Sequence, residues 1–118
     1  MQIHGSCASR NGTGVLLMGP PGSGKSDLVL RLRNHGFDLV ADDRVDITDG
    51  IARPVPALAG LLEVRGLGIF RLPHVAEARL ALVVDLTATA PRLPMPEHHA
   101  DLSLPLVRID AGRSKSTV

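Results

Sequence analysis

Val15-Leu16-Leu17-Met18-Gly19-Pro20-Pro21-Gly22-Ser23-Gly24-Lys25-Ser26 joins an unbroken apolar run to a glycine-rich turn that ends in a cation and a hydroxyl. The run has strand length and no polar alternation, as a strand covered on both faces would. Beyond it, Leu28, Val29 and Leu32 mark one face of a helix over Ser26 to Asn34, with Asn34-His35-Gly36 as its stop. Strand, loop and helix in that order are the context that G-x-x-x-x-G-K-[ST] requires, and Gly19 to Ser26 fits that pattern. The glycines Gly19, Gly22 and Gly24 permit close backbone approach, so successive N–H groups can form an anion nest at a helix N-terminus. Pro20 and Pro21 stiffen the loop, and Ser23 completes it. Lys25 brings a cation to the β- and γ-phosphates of a nucleotide, and the Ser26 hydroxyl can ligate Mg2+. The bland alternative, a glycine turn with a solvated lysine, does not account for the flanking strand and helix.

A phosphate loop of this kind needs an acidic group at the end of a neighbouring strand. Phe37 to Ala41 reads as that strand, and it runs into Asp42-Asp43. Adjacent residues on an extended chain point to opposite sides, so one aspartate can face a metal ion while the other faces an acceptor hydroxyl as general base. Asp-Asp can equally be a turn or a helix cap. Glu63 and Arg65 lie two apart on an apparent strand and share a face, either as a structural ion pair or as functional charges. His4 is a lone histidine near the chain start; His35, His74, His98 and His99 fall in expected loops, and adjacent His98-His99 supports no metal site.

The surroundings narrow the classes. The chain has 118 residues, single-domain length, with ordinary apolar (44%) and charged (21%) fractions. It has two Phe and no Trp or Tyr, so base stacking on nucleic acid is not expected, and a net charge of +1 indicates no polyanion partner. Cys7 alone cannot form an internal disulfide, and no window approaches 18 apolar residues, so a soluble cytoplasmic protein without a membrane partner is expected. Asn11-Gly12 and Asp49-Gly50 signal hairpins, the latter between Val45–Thr48 and Ile51–Arg53. Gln2 to Ala8 reads as a short strand, Ala57 to Leu62 as a helical turn, and Leu80 to Leu86 as a buried strand. Thr87 to His99 reads as a surface loop, and Leu102 to Ile109 as a last strand.

Ile3-His4-Gly5, Ala41-Asp42-Asp43-Arg44-Val45-Asp46 and Leu62-Glu63-Val64-Arg65-Gly66-Leu67-Gly68-Ile69 together resemble the catalytic domain of bacterial HPr kinase/phosphorylase. The likeness runs from His4 to about Arg113. It implies a P-loop-containing α/β fold, a carboxykinase-like mixed sheet with few helices, forming one catalytic domain over residues 1–118. It also implies ATP with Mg2+ as cofactor, and phosphorylation of a serine in the phosphocarrier protein HPr. The reverse reaction would use inorganic phosphate, with pyrophosphate as a further phosphate compound of the family. By resemblance, His4 and Lys25 are active-site residues, and Ser26 and Glu63 hold the metal with Asp42 nearby. Asp43 is the proton acceptor in phosphorylation and the donor in reversal. Arg65 or Arg92 would balance charge in the transition state. Leu106 to Arg113, ending Ala111-Gly112-Arg113, resembles the segment tied to dephosphorylation, and a homo-oligomer is implied. The resemblance is to a short form, expected to lack the family's separate N-terminal domain and terminal helices. Two rivals remain at this stage: a P-loop kinase of a small metabolite and a non-catalytic nucleotide-sensing module.

Overall fold

Short apolar strands joined by glycine turns make up most of the chain, in a computed structural model that describes residues 1–87 and 96–110. In chain order the described elements are β1 (Gln2–His4), β2 (Ser6–Arg10), β3 (Thr13–Met18), helix α1 (Lys25–Arg33), β4 (Asp38–Ala41), β5 (Arg44–Thr48) and β6 (Ile51–Pro54). A 3-10 turn at Pro56–Leu58 follows, then β7 (Leu61–Val64), β8 (Gly68–Arg71), β9 (Ala78–Thr87), β10 (Glu97–His99) and β11 (Leu104–Asp110). Asn11-Gly12 joins β2 to β3 with φ of 53° and 81°, and Asp49-Gly50 joins β5 to β6 with 52° and 76°. Two successive positive angles are what a two-residue type I′ loop demands, so both hairpins follow from local chemistry.

Nine described strands form one mixed sheet in the order β1-β5-β6-β9-β3-β2-β4, with β11 on β9 and β10 on β11; β7 and β8 form a separate hairpin. This is the mixed α/β sheet with few helices that the resemblance implies. Strands β3, β9 and β11 are parallel. Strand β4 runs with them, because it and β3 are both antiparallel to β2 between them. The four strands therefore finish at one edge, where ligands collect in open α/β sheets.

The apolar run of β3 is buried on both faces. Leu17 packs with Val29, Leu39, Leu62, Val84 and Leu86 beneath α1. Leu16 faces the other way, among Cys7, Val40, Val45, Ile47 and Val83. Strands β4 and β6 touch although β9, β3 and β2 separate them in the sheet, so the sheet curls around this second core. Fully burying each such leucine contributes about 1.5–3 kcal/mol.

Several local expectations shift. Gln2 to Ala8 is two strands, because the chain changes partner at Gly5: β1 pairs with β5, while β2 pairs with β3 and β4. A Cβ on Gly5 would sit 2.6 Å from the Leu17 carbonyl oxygen, so the change of partner needs glycine. The helical turn before β7 is shorter than Ala57–Leu62, since Leu61 and Leu62 already belong to β7. Within Thr87–His99, Thr87 ends β9 and Glu97–His99 forms β10, so both histidines His98 and His99 lie on a strand; residues 88–95 are outside those described. Arg108 explains the added strand. It bonds Asp85 of β9 at 2.8 Å and Glu97 of β10 at 2.9 Å, linking three strands across sequence.

Burial of Cys7 provides a test of the curled core. Its thiol is fully enclosed, and desolvation pushes its pKa from 9.0 up to about 12. The folded thiol should resist a disulfide reagent at pH 8 and react at once on unfolding in guanidinium. Between pH 9 and about 12 the unfolded chain loses a proton that the fold retains, so this group makes stability fall as pH rises. Rapid labelling of the native chain at pH 8 would contradict the packing.

Candidate active site

At the end of β3 the backbone turns back on itself over Gly19 to Gly24 and enters α1. A Cβ on Gly19, whose φ is +151°, would lie 2.6 Å from Ser23 Oγ and 2.7 Å from the Leu86 carbonyl oxygen, so only glycine fits. Gly24, at φ 99°, is the N-cap of α1 and supplies no side-chain acceptor to the first turn. A helix N-terminus without a side-chain cap is the kind of place where anions bind. Lys25 Nζ spans the loop and donates to the carbonyl oxygens of Gly19 at 2.7 Å and Pro20 at 3.1 Å. Ser23 Oγ is buried behind the loop, close to Gly19, without a hydrogen-bond partner among the described residues.

Asp42 follows β4 at the same sheet edge and is only 7% exposed. Three donors meet on its carboxylate. Ser6 Oγ donates to Oδ1 at 2.6 Å, Ser26 Oγ reaches Oδ1 at 2.9 Å and Oδ2 at 3.0 Å, and the Glu63 N–H donates to Oδ2 at 3.2 Å. These contacts join β2, α1 and β7 to the end of β4. A serine hydroxyl has one proton, so with that proton on Asp42 the Ser26 lone pairs are left for a cation.

Asp43 behaves differently, and not because the chain is extended. Its φ is +71°, its carbonyl oxygen accepts the Gly5 N–H at 3.1 Å, and the Arg44 N–H returns to the Asp42 carbonyl oxygen at 2.8 Å. A two-residue-span hydrogen bond over a positive φ is a γ-turn, a strained local form that Asp tolerates better than most residues. The turn separates the pair: Asp42 is buried and Asp43 is exposed. The two side chains thus lie in different environments, and a turn rather than an extended backbone is the cause.

These parts border one cleft of about 820 Å3. Of the residues singled out from sequence, His4, Gly19, Pro21, Gly22, Gly24, Lys25, Ser26, Asp42, Asp43, Glu63 and Arg65 line it. Pro20 and Ser23 belong to the loop without lining the cleft, and Arg92 lies outside the described residues. Glu63 and Arg65 do not share a strand face. Strand β7 ends at Val64, which puts Arg65 in the exposed hairpin loop, with Nη1 3.7 Å from where a Cβ on Gly22 would stand. No ion pair joins the two among the described residues. Gly5 and Asp27 also line the cleft, and Ser6 supports it from behind; none of the three was singled out from sequence. Asp27 had a signal, an acid in the first turn of a helix, whereas Ser6 had none.

Oxygen donors from Ser26, Asp42 and Glu63 suit a hard divalent cation. No three His, Cys, Asp or Glu side chains converge as a ready-made cage among the described residues. Mg2+ is commonly held that way, by one or two protein groups together with substrate phosphates. The donor set therefore fits Mg2+ brought in with a nucleotide.

Comparison with known proteins gives a consistent picture. Residues 1–93 match the family model described as HPr Serine kinase C-terminal domain. An HPr kinase/phosphorylase of Cupriavidus metallidurans is 38% identical over 133 aligned positions, covering 95% of this chain and 41% of that protein. One from Ralstonia pickettii is 37% identical over the same shares. The chain thus spans about two-fifths of the length of these relatives. A solved structure of the Hpr(Ser) kinase/phosphatase from Coxiella burnetii superposes with a TM-score of 0.78 over 99% of this chain and 84% of that one, at 23% identity, a likeness of fold.

The geometry around Asp42 predicts a local loss as well as a global one. Asp42→Ala leaves the buried Ser6 hydroxyl without its acceptor and should cost about 1–3 kcal/mol in urea unfolding. Hydrogen exchange at the Glu63 amide should accelerate at the same time. Unchanged Glu63 protection would mean that Asp42 does not tether the β7–β8 hairpin.

Proposed function

The chain belongs to the HPr serine kinase C-terminal domain family, and from that premise we propose that it transfers the γ-phosphoryl group of ATP to a serine of the phosphocarrier protein HPr. The reading includes the reverse reaction, in which inorganic phosphate removes the phosphoryl group and pyrophosphate is formed. One observation carries it: a phosphate loop, a buried carboxylate on the loop serine and an exposed carboxylate on a strained turn share a single cleft. A pure nucleotide sensor has no need of the last.

The roles follow from position. The Gly19 to Ser26 loop and the start of α1 bind the phosphates of ATP. Lys25 leaves the Gly19 and Pro20 carbonyl oxygens for the β- and γ-phosphates, exchanging neutral acceptors for charged ones. Ser26 and Glu63, with Asp42 behind Ser26, would hold Mg2+, which would neutralise charge at those phosphates. Asp43 takes the proton of the HPr serine as its oxygen attacks, and returns a proton to that oxygen in reversal. Arg65, over Gly22, balances the negative charge of the transferring group, with Arg92 as a second such arginine. His4, on β1 beside Arg44, borders the acceptor side of the cleft.

In this reading residues 1–118 form one catalytic domain that works in the cytoplasm as a homo-oligomer, without nucleic-acid or membrane partners. No described helix is long and apolar enough to cross a membrane.

Incubation of the purified chain with γ-labelled ATP, Mg2+ and HPr should place label on an HPr serine, and added inorganic phosphate should release it. ATP binding without transfer to HPr would contradict the reading. Asp43→Asn should lower transfer by about 10²–10⁴-fold while leaving ATP affinity nearly unchanged. A variant with near-wild-type transfer would remove Asp43 from the role of base.

A further inference from the structure

Ser6 belongs to none of the segments that carry the chemistry, yet it makes the shortest contact on Asp42. Its hydroxyl, on a residue that is 0% exposed, donates to Asp42 Oδ1 at 2.6 Å across 36 positions of sequence. We propose that Ser6 is a positioning residue, whose hydroxyl sets the plane of the Asp42 carboxylate so that Ser26 presents its oxygen to a divalent cation. The proposal rests on the reading of the cleft as a cation–nucleotide site.

The need for such a residue comes from carboxylate geometry. The terminal torsion of aspartate is broad, so the plane of its oxygens is set by their partners. Ser26 touches both oxygens at nearly equal distance and therefore does not choose a plane. Ser6 on Oδ1 and the Glu63 N–H on Oδ2 approach from different elements and do choose one. The two are not equally firm. Glu63 sits on a two-stranded hairpin, directly opposite the exposed Ile69, whereas Ser6 pairs with Leu17 of β3 and lies on β2, a strand that β4 flanks on its other side. The fixed reference for Asp42 is thus in the sheet, and Ser6 provides it. In metal sites, partners that orient a ligand typically govern affinity by about 10–100-fold.

A merely structural serine would tether β2 to the end of β4 and affect all binding alike. The two roles separate when binding of a non-hydrolysable ATP analogue is measured in EDTA and with Mn2+, with Mn2+ occupancy followed by electron paramagnetic resonance. Ser6→Ala should keep the affinity in EDTA within about twofold and weaken Mn2+ in the ternary complex roughly tenfold or more. Ser6→Thr, which retains the hydroxyl, should regain most of that loss. Wild-type Mn2+ affinity in Ser6→Ala, an equal loss in EDTA, or no recovery in Ser6→Thr would each overturn the proposal. If Mn2+ fails to strengthen binding in the wild-type chain, the cation reading of the cleft falls, and the role of Ser6 falls with it.

Discussion

The Asp42 carboxylate holds together pieces of chain that lie 16, 21 and 36 positions away. Everything chemical in the cleft depends on that meeting. The loop serine is turned by it, the β7–β8 hairpin is attached through the Glu63 amide, and β2 supports it from the sheet. A buried carboxylate is costly unless its oxygens are occupied by donors. Here three donors occupy them, so the cost of burying the charge is offset by bonds that also fix the site. The topology makes the meeting possible, because β3 and β4 run in the same direction and release the loop and Asp42 at one edge.

The second aspartate depends on the first in a different way. A γ-turn centred on Asp43 holds its carbonyl oxygen on the Gly5 amide and leaves its side chain exposed in the cleft. Positive φ at a non-glycine residue persists only where the surroundings over-determine it. Gly5 takes part in that restraint, and it also closes the switch from β1 to β2, where a Cβ would strike the Leu17 carbonyl oxygen. One short connection thus aligns the strand before the loop, the turn bearing the exposed carboxylate and the histidine at the end of β1. Two adjacent aspartates thereby acquire opposite environments, one enclosed by donors and one open to an acceptor.

Local chemistry made much of this legible in sequence. The glycine loop, its flanking strand and helix, both Asx-Gly hairpins and the acidic pair at a strand end all rest on interactions within a few residues. Legibility failed where partners are distant. Gly5 reads as an ordinary residue until its neighbour Leu17 is known, so one apparent strand is two. Arg65 reads as a strand residue because its neighbours are apolar, but the pairing ends at Val64, before the loop glycine Gly66 at φ 83°. Strand β10 is held by Arg108 from β11 and has no pattern of its own. Ser6 is a small polar residue in a weakly alternating stretch, and only the fold brings it to Asp42.

Where a nucleotide and its cation settle decides the role of the cleft. A crystal structure of the chain with a non-hydrolysable ATP analogue and Mg2+ should place Ser26 Oγ about 2.1 Å from the ion. In that structure Asp42 would still accept the Ser26 and Ser6 hydroxyls, and Lys25 Nζ would have moved from the Gly19 carbonyl oxygen to the phosphates. A nucleotide seated outside the Gly19–Ser26 loop, or an ion bound with Ser26 turned away from Asp42, would contradict it.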